Sequence, residues 1–178
     1  AVNATCTVDV VFAPTSVTSF TGTLTLYYTD GSISQTSPFE LTGTGLAPAS
    51  LAFSPTSKAF GNVTVGANSS QTFTITNSGG VSATLVYLTV PGADYSLSSN
   101  NCGVVGSKIT IAASSSCTAI LVVSPSGTGA RNGNLTVTYN DGVSAQTANA
   151  AITATGVTPA SLALSPTSKA FGTVAVGG

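Results

Sequence analysis

A stretch of fourteen residues occurs twice in this chain. PASLAFSPTSKAFG runs from Pro48 to Gly61 and returns as PASLALSPTSKAFG from Pro159 to Gly172, an offset of 111. The same offset, without a gap, carries Cys6 onto Cys117, Pro14 onto Pro125, Gly22 onto Gly133 and Tyr28 onto Tyr139. It carries Asp30-Gly31 onto Asp141-Gly142, Gln35-Thr36 onto Gln146-Thr147, and Gly45 onto Gly156. Self-similarity at one fixed period marks a repeated structural unit, and it constrains the fold more than any local motif. The chain then divides into three pieces: residues 1–47 as the back part of one repeat, 48–158 as a complete repeat, and 159–178 as the first strand or strands of the next. Ala1 is not preceded by Met and no signal peptide is visible, so the chain is expected to be an excerpt of a longer, processed polypeptide.

Within the unit, apolar and polar residues alternate as they do in half-buried strands. QTFTITNS sets Phe73 and Ile75 against Thr72, Thr74 and Thr76. NLTVTYNDG sets Leu135, Val137 and Tyr139 inward and runs into Asp141-Gly142, a hairpin turn signal. CTVDVVF alternates Cys6, Val8, Val10 and Phe12 against Thr7, Asp9 and Val11, and SKITIAA and SATLVYLTV add further strands. Clusters of Gly, Asn, Ser and Pro separate them. No window reads as an amphipathic helix. Seven to nine short strands in a unit of this length predict an all-β fold, tandem immunoglobulin-like β-sandwich repeats, with a barrel as the alternative. The junction TGTGLAPAS (Thr42–Ser50) is short, which predicts a stiff succession of domains.

FSPTSKAFGNVTVGANSSQTFTITNSGG, with the later NCGVVGSKITIAASSSCTAILVVSPSGTGARNGNLTVTY, resembles the bacterial choice-of-anchor D repeats of the wider Hydin-like (ASH) group of Ig-like domains. The likeness covers residues 50–157 and parts of the flanking pieces. It rests on an SP…FG…VG opening, a TN.G turn and two cysteines before a P…G turn. The resemblance implies tandem β-sandwiches in large secreted or surface proteins of bacteria. It implies no catalytic activity and carries over no functional residue.

Cys102 and Cys117 lie in one repeat, 15 residues apart. Cys6 is the counterpart of Cys117, and the counterpart of Cys102 falls before residue 1, so Cys6 is unpaired by truncation. One disulfide per repeat, Cys102–Cys117, is the expectation; two buried free thiols are the alternative. A structural disulfide places a protein outside the cytoplasm, so an extracellular or cell-surface location is expected.

Composition removes whole classes of chemistry. There is no His, Met or Trp, 5% of residues are charged, and the net charge is −1. Without His, neither a Ser-His-Asp nor a Cys-His nucleophile can be assembled. The acids Asp9, Asp30, Glu40, Asp94 and Asp141 are scattered, which offers no glycosidase pair and no calcium cluster. No cofactor and no metal site is expected. Lys58, Lys108, Arg131 and Lys169 form no basic patch, so nucleic acid is not an expected partner, and no apolar run is long enough to span a bilayer. Lys58, recurring as Lys169, is the one candidate for an intramolecular crosslink to Asn, against the plainer reading of a lysine lying along the surface. Sequons stand at Asn3, Asn62, Asn68 and Asn134, and such matches arise readily in a Thr- and Ser-rich chain.

The expected function is structural and non-catalytic: a repeat of an extracellular filament, rod or stalk. The alternative is an adhesin binding carbohydrate or protein, which would use exposed aromatics. Tyr28, Tyr87 and Tyr139 sit at alternating positions that look like core; Tyr27 is the aromatic expected to be exposed, and its counterpart is Thr138. Val8, Val10 and Phe12 in the first piece and Leu162, Leu164 and Phe171 in the last are expected to need cover from adjacent repeats of the same chain or from copies of it, in a head-to-tail polymer.

Overall fold

Thr, Val and Ser set in alternation favour paired strands that turn one face to a core. A computed structural model of the chain describes residues 5–177, and no helix occurs among them. The chain opens with a hairpin of β1 (Ser19–Thr29) and β2 (Ser34–Thr44). Ten strands follow: β3 (Leu51–Ser54), β4 (Ser57–Thr64), β5 (Ser69–Asn77), β6 (Ala83–Thr89), β7 (Tyr95–Asn100), β8 (Ile109–Ile111), β9 (Ser116–Val123), β10 (Gly129–Ala130), β11 (Gly133–Asn140) and β12 (Ala145–Val157).

These ten strands make two layers. One is ordered β3-β5-β9-β7. The other runs β12-β11-β6-β8, with the short β10 pairing the far end of β12 and β4 running parallel along its outer edge. The remaining pairings are antiparallel. The inward faces supply Phe73 and Ile75 of β5, Leu121 and Val123 of β9, Leu135 and Val137 of β11, and Ile152 of β12, all essentially inaccessible to solvent. Phe53 meets Phe73 edge to face, with ring centroids 6.0 Å apart.

β6 departs from simple alternation. Leu85 has a positive φ of 55°, and the pairing of β6 shifts register there against both β8 and β11. The extra residue is a bulge. It leaves Leu85 exposed and brings Val86 and Leu88, rather than Leu85 and Tyr87, to the core. Tyr87 is therefore not a core residue; it lies half-buried on the outer face, with Lys108 Nζ 5.4 Å from its ring centroid.

The hairpin repeats the pairing of β11 and β12 under the same shift. Gly22 faces Leu41 as Gly133 faces Ile152, and Thr29 faces Ser34 as Asn140 faces Ala145. Gly45 and Gly156 are likewise equivalent. A Cβ on either would stand 2.0 Å from Ser16 O or 2.1 Å from Gly127 O, so the crossing chain requires glycine at both positions. The cover differs. Leu135 and Val137 are sealed, whereas their counterparts Leu24 and Leu26 are 38% and 56% exposed. Tyr28, counterpart of the buried Tyr139, is also exposed, which corrects its reading as core.

Two expected strands do not form. CTVDVVF is irregular backbone with Val8, Val10 and Phe12 exposed, although the matching Ala119, Leu121 and Val123 are buried in β9. β9 is held between β5 and β7, whereas no strand among the described residues flanks CTVDVVF. A strand without a neighbour has no partner for its backbone groups. Residues 159–177 likewise carry no strand, and Leu162, Leu164 and Phe171 are exposed there. Their counterparts β3 and β4 are held by β5 and β12.

The layers are tied together at one end by the fully buried side chain of Asn77. Its Oδ1 accepts from Ser50 N (3.1 Å) and Gly79 N (3.0 Å). Its Nδ2 donates to the carbonyls of Val81 (2.9 Å), Ile111 (3.2 Å) and Ala112 (3.2 Å). One amide thus fixes the start of β3, the end of β5, the approach to β6 and the end of β8. Truncation strands several buried backbone groups at once, each costing about 1–3 kcal/mol. Asn77→Ala is expected to lower unfolding free energy by about 3 kcal/mol, read as a lower denaturant midpoint at unchanged slope.

Candidate functional site

The features that could serve a function lie at the two ends of the sandwich, because the chain enters at one and leaves at the other. The incoming segment Ala47–Leu51 is pinned by backbone bonds. Gly80 N donates to Ala47 O (3.0 Å), Ala49 N donates to Asp141 O (2.9 Å), and Ser78 N donates to Ser50 O (2.9 Å). Leu51 N donates to Tyr139 Oη at 3.2 Å. A Cβ on Gly79 would lie 2.2 Å from Pro48 O, so the segment crosses β5's end at a distance that glycine alone permits.

The β11–β12 turn beside this segment is organised by Asp141. Its carboxylate accepts from Ser144 N (2.6 Å), Val143 N (2.8 Å) and Gln146 Nε2 (3.0 Å). These donors, led by Ser144 N–H, hold the carboxyl below the usual carboxylate range. Asp30 repeats the arrangement with Ile33 N, Gln35 Nε2 and Ser32 N, and its carboxyl is lowered in the same way. The Asp-Gly signal thus names an Asx-type turn whose carboxylate serves the backbone.

At the outgoing end Arg131 pairs with Asp94 through Nε, and Arg131 Nη2 donates to Gly127 O at 3.0 Å. Hydrogen bonding from Ser126, then from Arg131, lowers the Asp94 carboxyl. Tyr95 donates its hydroxyl to Arg131 O, and burial raises its phenol above the ordinary value. The pair clamps the loops that lead into β7 and β11. It is the one ion pair among the described residues, so no carboxylate stands beside Lys58. Lys58 Nζ instead lies 5.5 Å from the centroid of the Phe60 ring.

Cys102 and Cys117 are joined as a disulfide with Cα atoms 5.2 Å apart, binding the β7–β8 connection to the start of β9. Cys6 is a free, exposed thiol. No group of three His, Cys, Asp or Glu side chains able to hold a metal ion occurs among the described residues. Tyr27 is exposed. Among the described residues no helix is long and apolar enough to cross a membrane. Sequence reasoning missed Asn77 and the Asp94–Arg131 clamp. The signal for the first was a polar residue closing an alternating strand just before Gly79-Gly80. The clamp brings together residues 37 apart in sequence and had no local signal.

The layers, the inter-layer core and the disulfide define an Ig-like β-sandwich. The chain belongs to the HYDIN/CFA65/VesB-like Ig-like domain family, which it matches over residues 49–155, more than half its length. The Hydin-like resemblance read from the sequence is thereby borne out. A comparison with curated protein sequences finds no match. Among solved structures, the chain is similar to the ASH/PapD-like domain 7 of human CEP192, at 10% identity and a TM-score of 0.46, covering 65% of this chain and 89% of that one. It is similar to a protein of unknown function from Porphyromonas gingivalis W83, at 14% identity and a TM-score of 0.47, covering 82% and 69%. It is also similar to the Vibrio cholerae VesB protease, at 22% identity and a TM-score of 0.42, covering 59% of this chain and 31% of that protein. At these identities the likeness concerns the fold alone.

Two outcomes follow from the turn and the disulfide. A carboxyl lowered in the folded state stabilises the protein above the unfolded carboxylate pKa of about 4 and loses that contribution as pH falls through the folded value. Asp141→Asn is therefore expected to be less stable than the parent at neutral pH, with the difference shrinking toward about pH 2, as followed by denaturant unfolding across that range. Replacing Cys102 and Cys117 together by Ala frees a 15-residue loop in the unfolded chain and is expected to cost about 3 kcal/mol.

Proposed function

We propose that the chain is a non-catalytic structural segment of a secreted or cell-surface bacterial protein, in which Ig-like repeats run head to tail as a filament, rod or stalk. The observation that carries this reading is the hairpin β1–β2, which reproduces the β11–β12 pairing residue for residue at the period of the sequence repeat. The path of the chain supports it. Ala49 enters beside Asp141, while Val157 leaves at the opposite end, where its carbonyl accepts from Val65 N at 2.9 Å. Entry and exit at opposite ends let each sandwich hand the chain to the next without doubling back. The disulfide supports an oxidising, extracytoplasmic setting. Low charge, at 5% of residues, offers little repulsion between successive units.

On this reading residues 1–47 belong to a sandwich whose earlier strands are supplied by an adjacent repeat sequence or by another copy. The exposed Val8, Val10, Phe12, Leu24 and Leu26 are its uncovered core. Leu162, Leu164 and Phe171 await the rest of the following sandwich. The test is to place a second copy of Pro48–Ile111 ahead of Ala1, which continues the repeat in register. The expected result is that Cys6 loses its free thiol by pairing with the added copy of Cys102, and that amides of Val8, Val10 and Phe12 become protected from exchange. A Cys6 that stays free and reactive, with those amides unprotected, would overturn the tandem reading.

A further inference from the structure

Between the first hairpin and the complete repeat lies an open cleft of about 360 Å³. Pro14 and Leu46 line it from the preceding side, and Val81, Gly142 and Val143 from the following side. Val143 is 79% exposed and Leu46 56% exposed, a large apolar exposure for one joint. The charged group at its edge, the Asp141 carboxylate, is already committed to Ser144, Val143 and Gln146. The occupant it fits is therefore small, apolar and uncharged.

The complete repeat identifies such an occupant. Pro125 and Val157 are the counterparts of Pro14 and Leu46. Their carbonyls accept hydrogen bonds from Gly66 N (3.4 Å) and Val65 N (2.9 Å), and Ala67 N closes the turn on Thr64 O (2.9 Å). The turn Val65-Gly66-Ala67 thus caps the outgoing end of its own repeat over the two residues whose counterparts line the cleft. Its shape recurs, since Gly66 and its counterpart Gly177 have φ of +86° and +96°. The equivalent turn of the repeat that ends in residues 1–47 would precede Ala1.

We propose that consecutive repeats touch through this cleft: the Val-Gly-Ala turn of one repeat caps its own counterparts of Pro14 and Leu46 and, in the same position, packs against Val81 and Val143 of the next. The inference rests on the tandem reading. It adds that the joint is a built apolar contact, with the turn as a wedge between successive sandwiches. Leu46 and Pro48, on either side of the covalent link at Ala47-Pro48, both line the cleft, so a wedge seated there fills the space into which the short linker would bend.

The test uses the chain with the added copy of Pro48–Ile111 ahead of Ala1, isotope-labelled at methyl groups. The expected result is a set of nuclear Overhauser contacts between Val143 and the added copies of Val65 and Ala67. Paramagnetic broadening of the Val143 methyls by a soluble probe should fall several-fold relative to the original chain. Val143→Glu should abolish those contacts and let the two sandwiches align independently in a dilute liquid-crystalline medium. If Cys6 pairs with the added Cys102 while the Val143 methyls remain as accessible as before, the wedge is overturned and the tandem reading stands. If Cys6 stays unpaired, both are overturned. A second protein, extended after Gly178 by Asn68–Thr158, builds the same joint from the outgoing side. There Val65 and Ala67 of the existing repeat should contact the added Val143, and absence of contact in this protein likewise overturns the wedge.

Discussion

One buried amide sets the geometry from which the rest follows. Asn77 stands where the incoming segment meets both layers, and its Oδ1 and Nδ2 are shared among five backbone groups. A shorter or apolar side chain would leave those groups without partners in a region closed to water. Through Ser50 the same amide fixes the incoming segment, and through Gly79 it holds the site that Pro48 crosses within contact distance. The linker is therefore part of the sandwich that follows it. Its direction is set by hydrogen bonds to Asn77, Gly80, Asp141 and Tyr139 rather than by free rotation. In the proposed rod, this end would set the angle between successive units.

Much of the architecture was legible because the residues that carry it act locally and recur. The alternation of Phe73 and Ile75, and of Leu135, Val137 and Tyr139, reports the pleat directly. The Asp-Gly pairs report a turn whose carboxylate binds the backbone two and three residues on. What failed depended on distant partners. Tyr87 was misplaced because the bulge at Leu85 answers to β8 and β11, and nothing in SATLVYLTV marks it. CTVDVVF has the pattern of a strand and the repeat position of β9, but a strand is a relation between segments. Without neighbours on both sides the pattern has nothing to pair with. The joint was legible in length alone; the hydrogen bonds that orient it join residues as far apart as Leu51 and Tyr139.

At the two ends of the sandwich Asp141 holds a turn and the Asp94–Arg131 pair holds two loops. The titratable side chains with shifted behaviour, Asp30, Asp94, Tyr95 and Asp141, are each engaged in fixing a turn or a loop. Shifted groups of this kind mark structural networks as well as active sites, and geometry decides between the two. Here the geometry places Asp141 under the incoming chain and the Asp94–Arg131 pair beside the outgoing chain. The two ends are built differently from the broad faces of the sandwich, where exposed Thr and Ser predominate.

The central claim is that the repeats form one continuous rod of sandwiches joined at their ends. Electron microscopy of the native material tests it most directly. The account predicts long, unbranched fibres of uniform width whose axial period is the length of one sandwich. Isolated particles of one or two sandwiches, with no axial period, would contradict it.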